Sequence, residues 1–302
     1  MRRFPDLGIG LGLRAPHFSR VLRDRPEIPW FEATTENYMG IRGGFAGRPL
    51  KVLEQIRRDH AVVLHGVSLN IGSTDPLDRD YLKGVRSLAD RIEPSWISDH
   101  VCWTGVGGEN LHDLLPLPYT RETLDHLVPR IREVQDFLGR RMIFENVSAY
   151  LSFDQSEMTE WEFLTELARR SDCGLLLDIN NVYVSSQNLG FDPIEFLNGL
   201  PLEHVGQMHL AGHSRHGEIL IDTHDHPVPD EVWALYRAAV ARFPEVSAMI
   251  EWDAQIPEFE VLEAEARRAR KITSEIRNAL VEASPGPSPH SGSKASRDAR
   301  LG

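Results

Sequence analysis

The chain has 302 residues, 41% of them hydrophobic, and carries Lys+Arg 33 against Asp+Glu 45 for a formal charge of -12. That length allows one large core, and a closed α/β barrel takes about 250 residues. The acidic balance has the wrong sign for gripping a phosphate backbone, no apolar run reaches the ~20 residues of a membrane span, and Met1-Arg2-Arg3-Phe4-Pro5 lacks the apolar stretch of a signal peptide, so the expectation is a soluble cytoplasmic protein without nucleic-acid or membrane partners.

In chain order, short apolar or β-branched runs alternate with longer helical patterns as far as about residue 280, the signal of βαβ units and a parallel sheet. The first run, Gly8–Arg14, contains Gly8-Ile9-Gly10-Leu11-Gly12, read as a strand whose small residues admit a neighbour rather than as a phosphate cradle; a helix is expected over Ala15–Arg23. Then come Trp30–Glu36 with helix Pro49–Asp59, Ala61–Leu69 with Asp78–Arg91, and Trp96–Trp103 with Thr120–Leu138. Thr120 sits where an N-cap belongs, with Thr123 instead of Glu at the third position. Met142–Val147 pairs with Thr159–Arg170, Gly174–Asn180 with Pro193–Asn198, Val205–Leu210 with Asp230–Phe243, and Ala248–Trp252 with Glu258–Leu280. Eight strands and eight helices in strict alternation predict a single (β/α)₈ barrel over residues 1–282. After Glu282 the run Ala-Ser-Pro-Gly-Pro-Ser-Pro-His-Ser-Gly-Ser has no large apolar residue to offset its ordering entropy, and disorder is expected over residues 283–302.

The ends of the third to eighth predicted strands carry His65, His100, Glu145, Asp178, His209 and Glu251. Asn181 follows just past Asp178, and Asp222 and His224 form an Asp-x-His pair in the loop after His209. All are metal-ligand types, and a barrel brings its C-terminal strand ends to one mouth. Alone, His65 or His100 reads as a hydrogen-bonded core residue, and Glu145 or Asp178 as a helix cap or arginine partner. Together, so many buried carboxylates and imidazoles require compensation that cations supply, and the donors exceed what one ion uses, so two or three ions with a bridging carboxylate fit.

Other histidines (His17, His60, His112, His126, His204, His216, His226) are read as solvated or structural, and His290 lies in the tail. His213, in Ala211-Gly212-His213 near the mouth, is placed to contact substrate or give a proton. Cys102 and Cys173 are too few for a disulfide framework and are read as buried, reduced thiols. Trp103, Tyr119 and Tyr150 near strand ends are read first as core, and otherwise as the lining of a peptide groove.

Leu64-His65-Gly66-Val67-Ser68-Leu69-Asn70, Ser98-Asp99-His100, Phe144-Glu145-Asn146, Leu177-Asp178-Ile179-Asn180-Asn181-Val182-Tyr183, His209-Leu210-Ala211-Gly212-His213, Asp222-Thr223-His224 and Ile250-Glu251-Trp252 resemble the multinuclear non-heme iron-dependent oxidases, over about Gly8 to Ile272. The resemblance implies a TIM barrel holding two or three iron ions of mixed Fe²⁺/Fe³⁺ state, with O₂ as co-substrate. It further implies action on cysteine residues of a ribosomally made precursor peptide, delivered with a small partner protein, by heterocycle formation or a related oxidative rearrangement. By that likeness His65, His100, Glu145, Asp178, Asn181, His209, Asp222, His224 and Glu251 are the metal ligands, with Glu145 a bridge; Asn180 stands as the alternative to Asn181. The same arrangement is similar to endonuclease IV, a three-zinc barrel hydrolase, but Asn181 stands where that relative carries His, a poorer zinc ligand. A divalent-metal sugar isomerase or epimerase of the xylose-isomerase type is a further alternative, and a non-catalytic protein keeping the metal only for stability a third.

Overall fold

In the computed structural model, which describes residues 4–40 and 47–283, the eight expected strands close into one parallel ring. The strands are β1 (Ile9–Gly12), β2 (Trp30–Thr34), β3 (Ala61–His65) and β4 (Ile97–His100), then, after a hairpin of β5 (Trp103–Val106) and β6 (Glu109–Leu115), β7 (Ile143–Glu145), β8 (Gly174–Asp178) and β9 (Val205–Leu210). A second hairpin, β10 (Ser214–His216) and β11 (Ile219–Ile221), precedes the closing strand β12 (Ser247–Ile250), which pairs with both β9 and β1. Around the ring run α1 (Phe18–Asp24), α2 (Gly47–Asp59), α3 (Arg79–Ile92), α4 (Arg121–Leu138), α5 (Glu160–Ser171), α6 (Ile179–Leu189), α7 (Pro193–Gly199), α8 (Asp230–Arg242) and α9 (Phe259–Ala283). No described helix is long and apolar enough to cross a membrane. The disorder expected from about residue 283 concerns residues that, beyond Ala283, lie outside those described.

Strand alternation divides the barrel into layers. Outward residues such as Phe31, Val62, Leu64, Phe144, Leu177, Met208 and Ile250 join the large core shared with the helices. Inward, Trp30, Val63, Trp96, Ile143, Leu176 and Met249 form a separate apolar plug, with Phe4 and Leu7 packed against it. Two residues further along those strands stand Glu32, His65, Ser98, Glu145, Asp178 and Glu251, all buried. The plug thus seats a polar layer directly above it. Gly10 is needed for this seating, because a Cβ there would lie 2.4 Å from the Trp30 ring.

Several elements depart from the expected boundaries. The run read as Trp96–Trp103 ends at His100, and Trp103 opens the β5–β6 hairpin, whose turn contains Gly107 and Gly108 at φ 66° and 81°. Consecutive positive φ values are what a two-residue hairpin turn demands, so this glycine pair is a turn signal that the strand reading missed. The run read as Gly174–Asn180 ends at Asp178, which caps α6. That helix was not expected because Ile179, Val182, Tyr183 and Val184 have β-forming character.

Candidate metal centre

Each histidine of the polar layer is oriented by a hydrogen bond on one ring nitrogen. His65 Nδ1 meets Ser98 Oγ at 2.8 Å, and His100 Nδ1 meets the Gly66 carbonyl at 3.1 Å. Their Nε2 atoms then face the same oxygen, Glu145 Oε2, at 3.2 and 3.4 Å. His209 has the opposite arrangement. Its Nε2 lies 3.1 Å from Glu32 Oε2, and its Nδ1 faces Glu251 Oε2 at 2.8 Å, Glu145 Oε1 at 3.6 Å and Asp178 Oδ2 at 3.9 Å.

The loop carrying Asp222 and His224 is held by the β10–β11 hairpin and by the His224 amide, which donates to the Gly212 carbonyl at 3.1 Å. His224 adopts a left-handed φ of 46°, an uncommon conformation for a non-glycine residue and one that clusters at functional sites. Its Nε2 lies 2.7 Å from Asp222 Oδ1, while Nδ1 lies 3.0 Å from Asp253 Oδ2 and 3.4 Å from Glu251 Oε2.

Asp178 and Asn181 arrive together through helix geometry. Asp178 Oδ1 accepts the Asn181 amide at 2.6 Å as the N-cap of α6, which leaves Oδ2 directed at the layer. Asn181 Nδ2 donates to the Asn146 carbonyl at 3.0 Å. Asn180 is differently engaged: its Nδ2 donates to Asp222 Oδ1 at 2.6 Å and its Oδ1 accepts from His213 Nδ1 at 2.8 Å. His213 is half-buried, stacks near Tyr183, and stands back from the other donors.

Five buried atoms in this layer make no hydrogen bond of good geometry: Glu145 Oε2, Asp178 Oδ2, Asn181 Oδ1, His209 Nδ1 and His224 Nε2, although Glu145 Oε2, His209 Nδ1 and His224 Nε2 each lie within 3.5 Å of a histidine or carboxylate of the layer. Buried polar atoms are rarely left so, and here they are lone-pair donors gathered at one place. Ligand atoms within 4.8 Å of one another form the sets Glu32, His65, His209, Glu251; His65, His100, Glu145; Glu145, Asp178, His209, Glu251; and His224, Glu251, Asp253. Glu145 belongs to two of these and Glu251 to three, so neighbouring ions would share carboxylates. A nitrogen and oxygen donor set of this kind suits divalent or trivalent transition metals.

The electrostatics show what a cation must offset. Burial opposes charge on His209, yet Glu32, Glu251 and Glu145 raise its pKa well above the ordinary range. Burial likewise opposes charge on His224, and Asp222 and Glu251 raise it well above that range. His100, against burial, is pushed up to about 9 by Glu145 and Asp99. Asp178 is held well above the usual carboxylate range by burial and by Glu145. Protons therefore occupy the layer when metal does not.

Four participants escaped sequence reading. Glu32 is buried beneath His209 and also accepts from Gln207 Nε2 at 2.5 Å, and Gln207 Oε1 accepts from Trp96 Nε1. The signal was its place two residues after Trp30 on the inward face, hidden because the expected strand ran on to Glu36. Asp253 bonds both His224 and Arg14, and Arg14 Nη2 lies 3.7 Å from Glu251. The alternation Glu251-x-Asp253 carried that signal past the strand end.

Above the donors opens a cleft of about 360 Å³, also lined by Thr34, Val67, Asp113, Leu114 and Tyr150. Of the three aromatic residues read near strand ends, Tyr150 lines the cleft, whereas Trp103 and Tyr119 pack against the core. Cys102 and Cys173 are buried free thiols.

Residues 8–274 match the family model of the RiPP precursor modification enzyme MbnB/TglH/ChrH. A UPF0276 protein of Anaeromyxobacter sp. (strain Fw109-5) is 55% identical over 91% of this chain and 95% of its own length. Another, from Acaryochloris marina (strain MBIC 11017), is 50% identical over 87% and 93%. Among solved structures, an L-ribulose 3-epimerase superposes with a TM-score of 0.58 at 13% identity, covering 92% of this chain and 99% of that one. Endonuclease IV from Thermus thermophilus superposes with a TM-score of 0.56 at 14% identity, covering 91% and 100%. At such identities these two share the fold alone.

Proposed function

Because the chain belongs to the MbnB/TglH/ChrH family of RiPP precursor modification enzymes, we propose that it is a multinuclear iron-dependent oxidase that uses O₂ to modify cysteine residues of a ribosomally made precursor peptide. The observation that carries this reading is the convergence at the cleft floor of five buried donor atoms, none of them in a hydrogen bond of good geometry. In our assignment His65, His100 and Glu145 hold one ion, and Glu145, Asp178, His209 and Glu251 a second. His224 and Glu251 would hold a third, with Asp222 and Asn181, which line the same cleft, completing the ligands. Asn181 is preferred over Asn180 because its Oδ1 has no partner, whereas both ends of the Asn180 amide are engaged. Two or three irons of mixed Fe²⁺/Fe³⁺ state are proposed, and a small partner protein is proposed to deliver the peptide.

When bound, the irons would supply the electron transfer by which O₂ oxidises the peptide cysteine. The protein's part is positional and electrostatic. Ser98, Gly66 and Glu32 fix the donor nitrogens of His65, His100 and His209, so each imidazole offers one defined lone pair. Asp113 and Leu114 on the β5–β6 hairpin and Tyr150 wall the cleft, restricting water around the reacting thiol. His213 is proposed as the proton carrier. Burial lowers its basicity, so it is neutral near pH 7, and with Nδ1 donating to Asn180 its Nε2 retains a lone pair able to accept a proton, which would reach it from the cleft through water.

Elemental analysis with Mössbauer spectroscopy, on protein produced in iron-supplemented cells, tests the reading before any substrate is known. Two or three irons per chain with coupled ferrous and ferric signals are expected. Stoichiometric zinc that persists under iron supplementation would overturn it in favour of hydrolysis or isomerisation.

A further inference from the structure

A second cavity, of about 220 Å³, lies beside the metal cleft. Three segments wall both spaces. Asp113 and Leu114 line the cleft, and Pro116 and Leu117 line the cavity; Val147, Ser148 and Tyr150 face the cleft, and Ala149, Leu151 and Phe153 face the cavity. Helix α6 contributes Asn181 to the first and Leu189 to the second. A peptide lying over the cleft therefore has the cavity at its side.

The cavity's character is apolar and aromatic, with Met158, Trp161 and Phe191 among its walls. Leu151 and Leu189 at its edge are 54% and 38% exposed, leaving large apolar groups in water. Its size is that of one large side chain, below the ~300–1,000 Å³ of pockets that hold whole small molecules. One carboxyl is buried in the wall, that of Glu160, which contacts the Tyr119 hydroxyl. Burial pushes that carboxyl up to about 8, so it is neutral near pH 7 and offers a cationic side chain no countercharge.

We propose that this cavity is a subsite for a bulky apolar side chain of the precursor peptide, next in sequence to the cysteine presented to the metal donors, and that it selects which cysteine is modified. This rests on the reading of the chain as a peptide-cysteine oxidase. The cleft itself has only Val67, Leu114, Val147 and the Tyr150 ring as apolar walls, set among charged and polar groups that meet the reacting thiol and so distinguish one cysteine from another poorly. An apolar anchor a residue or two away fixes register, much as buried aromatic anchors dominate peptide recognition elsewhere.

The test uses the full chain loaded with iron under argon and N-acetylated, C-amidated Gly-Gly-Cys-Gly-Gly. Four further peptides each replace one glycine with phenylalanine, and binding is followed by the absorbance of thiolate on iron. At least one phenylalanine peptide is expected to bind about tenfold more tightly than the glycine parent. That preference should shrink to within about twofold in Ala149→Leu, which fills the cavity, and in Leu189→Glu, a substitution at its exposed rim. Metal content per chain reports that each variant is folded. Equal binding of all five peptides, or a preference that survives both variants, overturns the proposal while leaving the oxidase reading intact. If no peptide produces the thiolate absorbance, the oxidase reading fails instead. The cavity is then judged by saturation-transfer NMR of N-acetylphenylalaninamide on the metal-free chain, where transfer abolished by both variants supports an apolar subsite and absence of transfer to the unaltered protein sinks it.

Discussion

Glu32 Oε2 lies 3.1 Å from His209 Nε2, on the side of the ring away from the other carboxylates, and so turns His209 Nδ1 toward Glu251, Glu145 and Asp178. The carboxylate–imidazole pair sets the tautomer and strengthens the nitrogen that meets the metal. Glu32→Gln keeps an acceptor for the Nε2 proton but loses the charge, and metal affinity should fall by about 10–100-fold. Competition against a chromogenic chelator measures it. Unchanged affinity would mean that Glu32 does not act through His209.

Asn181 and Asn180 should separate cleanly on substitution. Asn181→Ala removes a buried oxygen that has no partner within the protein, and the expectation is one fewer metal ion per chain by elemental analysis. Asn180→Ala breaks the links to Asp222 and His213 and should keep the metal count while costing about 1–3 kcal/mol in stability. The reverse pattern of metal loss would move the ligand to Asn180.

Metal binding should release protons. In the metal-free layer His209 and His224 are basic well beyond the ordinary imidazole range and His100 titrates at about 9, so an incoming ion must displace protons that these residues still hold at neutral pH. Affinity is expected to rise with pH between about 6.5 and 9, by roughly tenfold per unit for each proton displaced. The metal-free protein behaves oppositely. A raised folded-state pKa contributes stability that is complete below 6.5 and is lost as pH rises through about 9. Calorimetry in two buffers of different ionisation enthalpy counts the protons, and a count of zero contradicts the electrostatic picture.

Glu160 gives a stability prediction independent of the metal centre. Its carboxyl is held at about 8 in the fold against a reference value of 4.5, so the folded chain binds the extra proton between those values. Stability should therefore be greatest below about pH 4.5 as far as this group is concerned and decline by about 1.4 kcal/mol per unit up to about pH 8. Glu160→Gln removes that slope and should be the more stable form at pH 8, by about 4 kcal/mol. Chemical denaturation of metal-loaded protein at several pH values checks it, and parallel curves for the two proteins would refute it.

The barrel was legible because period-two alternation and strand–helix order are local properties that survive in the sequence. His65, Glu145, Asp178, His209 and Glu251 were readable for the same reason, each closing or lying beside the end of a run of buried residues. What escaped depends on boundaries and on contacts distant in sequence. Glu32 was hidden by a strand read two residues too long, and its role depends on Gln207, which lies 175 residues away. The β5–β6 and β10–β11 hairpins interrupt the βα order with strands too short or too polar to register, the apolar Ile219–Ile221 being only three residues long, so periodicity passed over them. Helix α6 was missed because Ile179, Val182, Tyr183 and Val184 in its first two turns favour strands, while the Asp178 side chain that starts it reads equally well as a metal ligand.

Asp178 divides its two oxygens between different tasks: Oδ1 fastens the first turn of α6, and Oδ2 faces the metal donors. A single side chain is thereby both masonry and reagent. Lengthening it to glutamate would carry one oxygen away from the helix or the other past its place in the layer, because one carboxylate plane must satisfy both. The onset of α6 and the geometry of the centre are consequently a joint inheritance, and a descendant that shifts one must redraw the other.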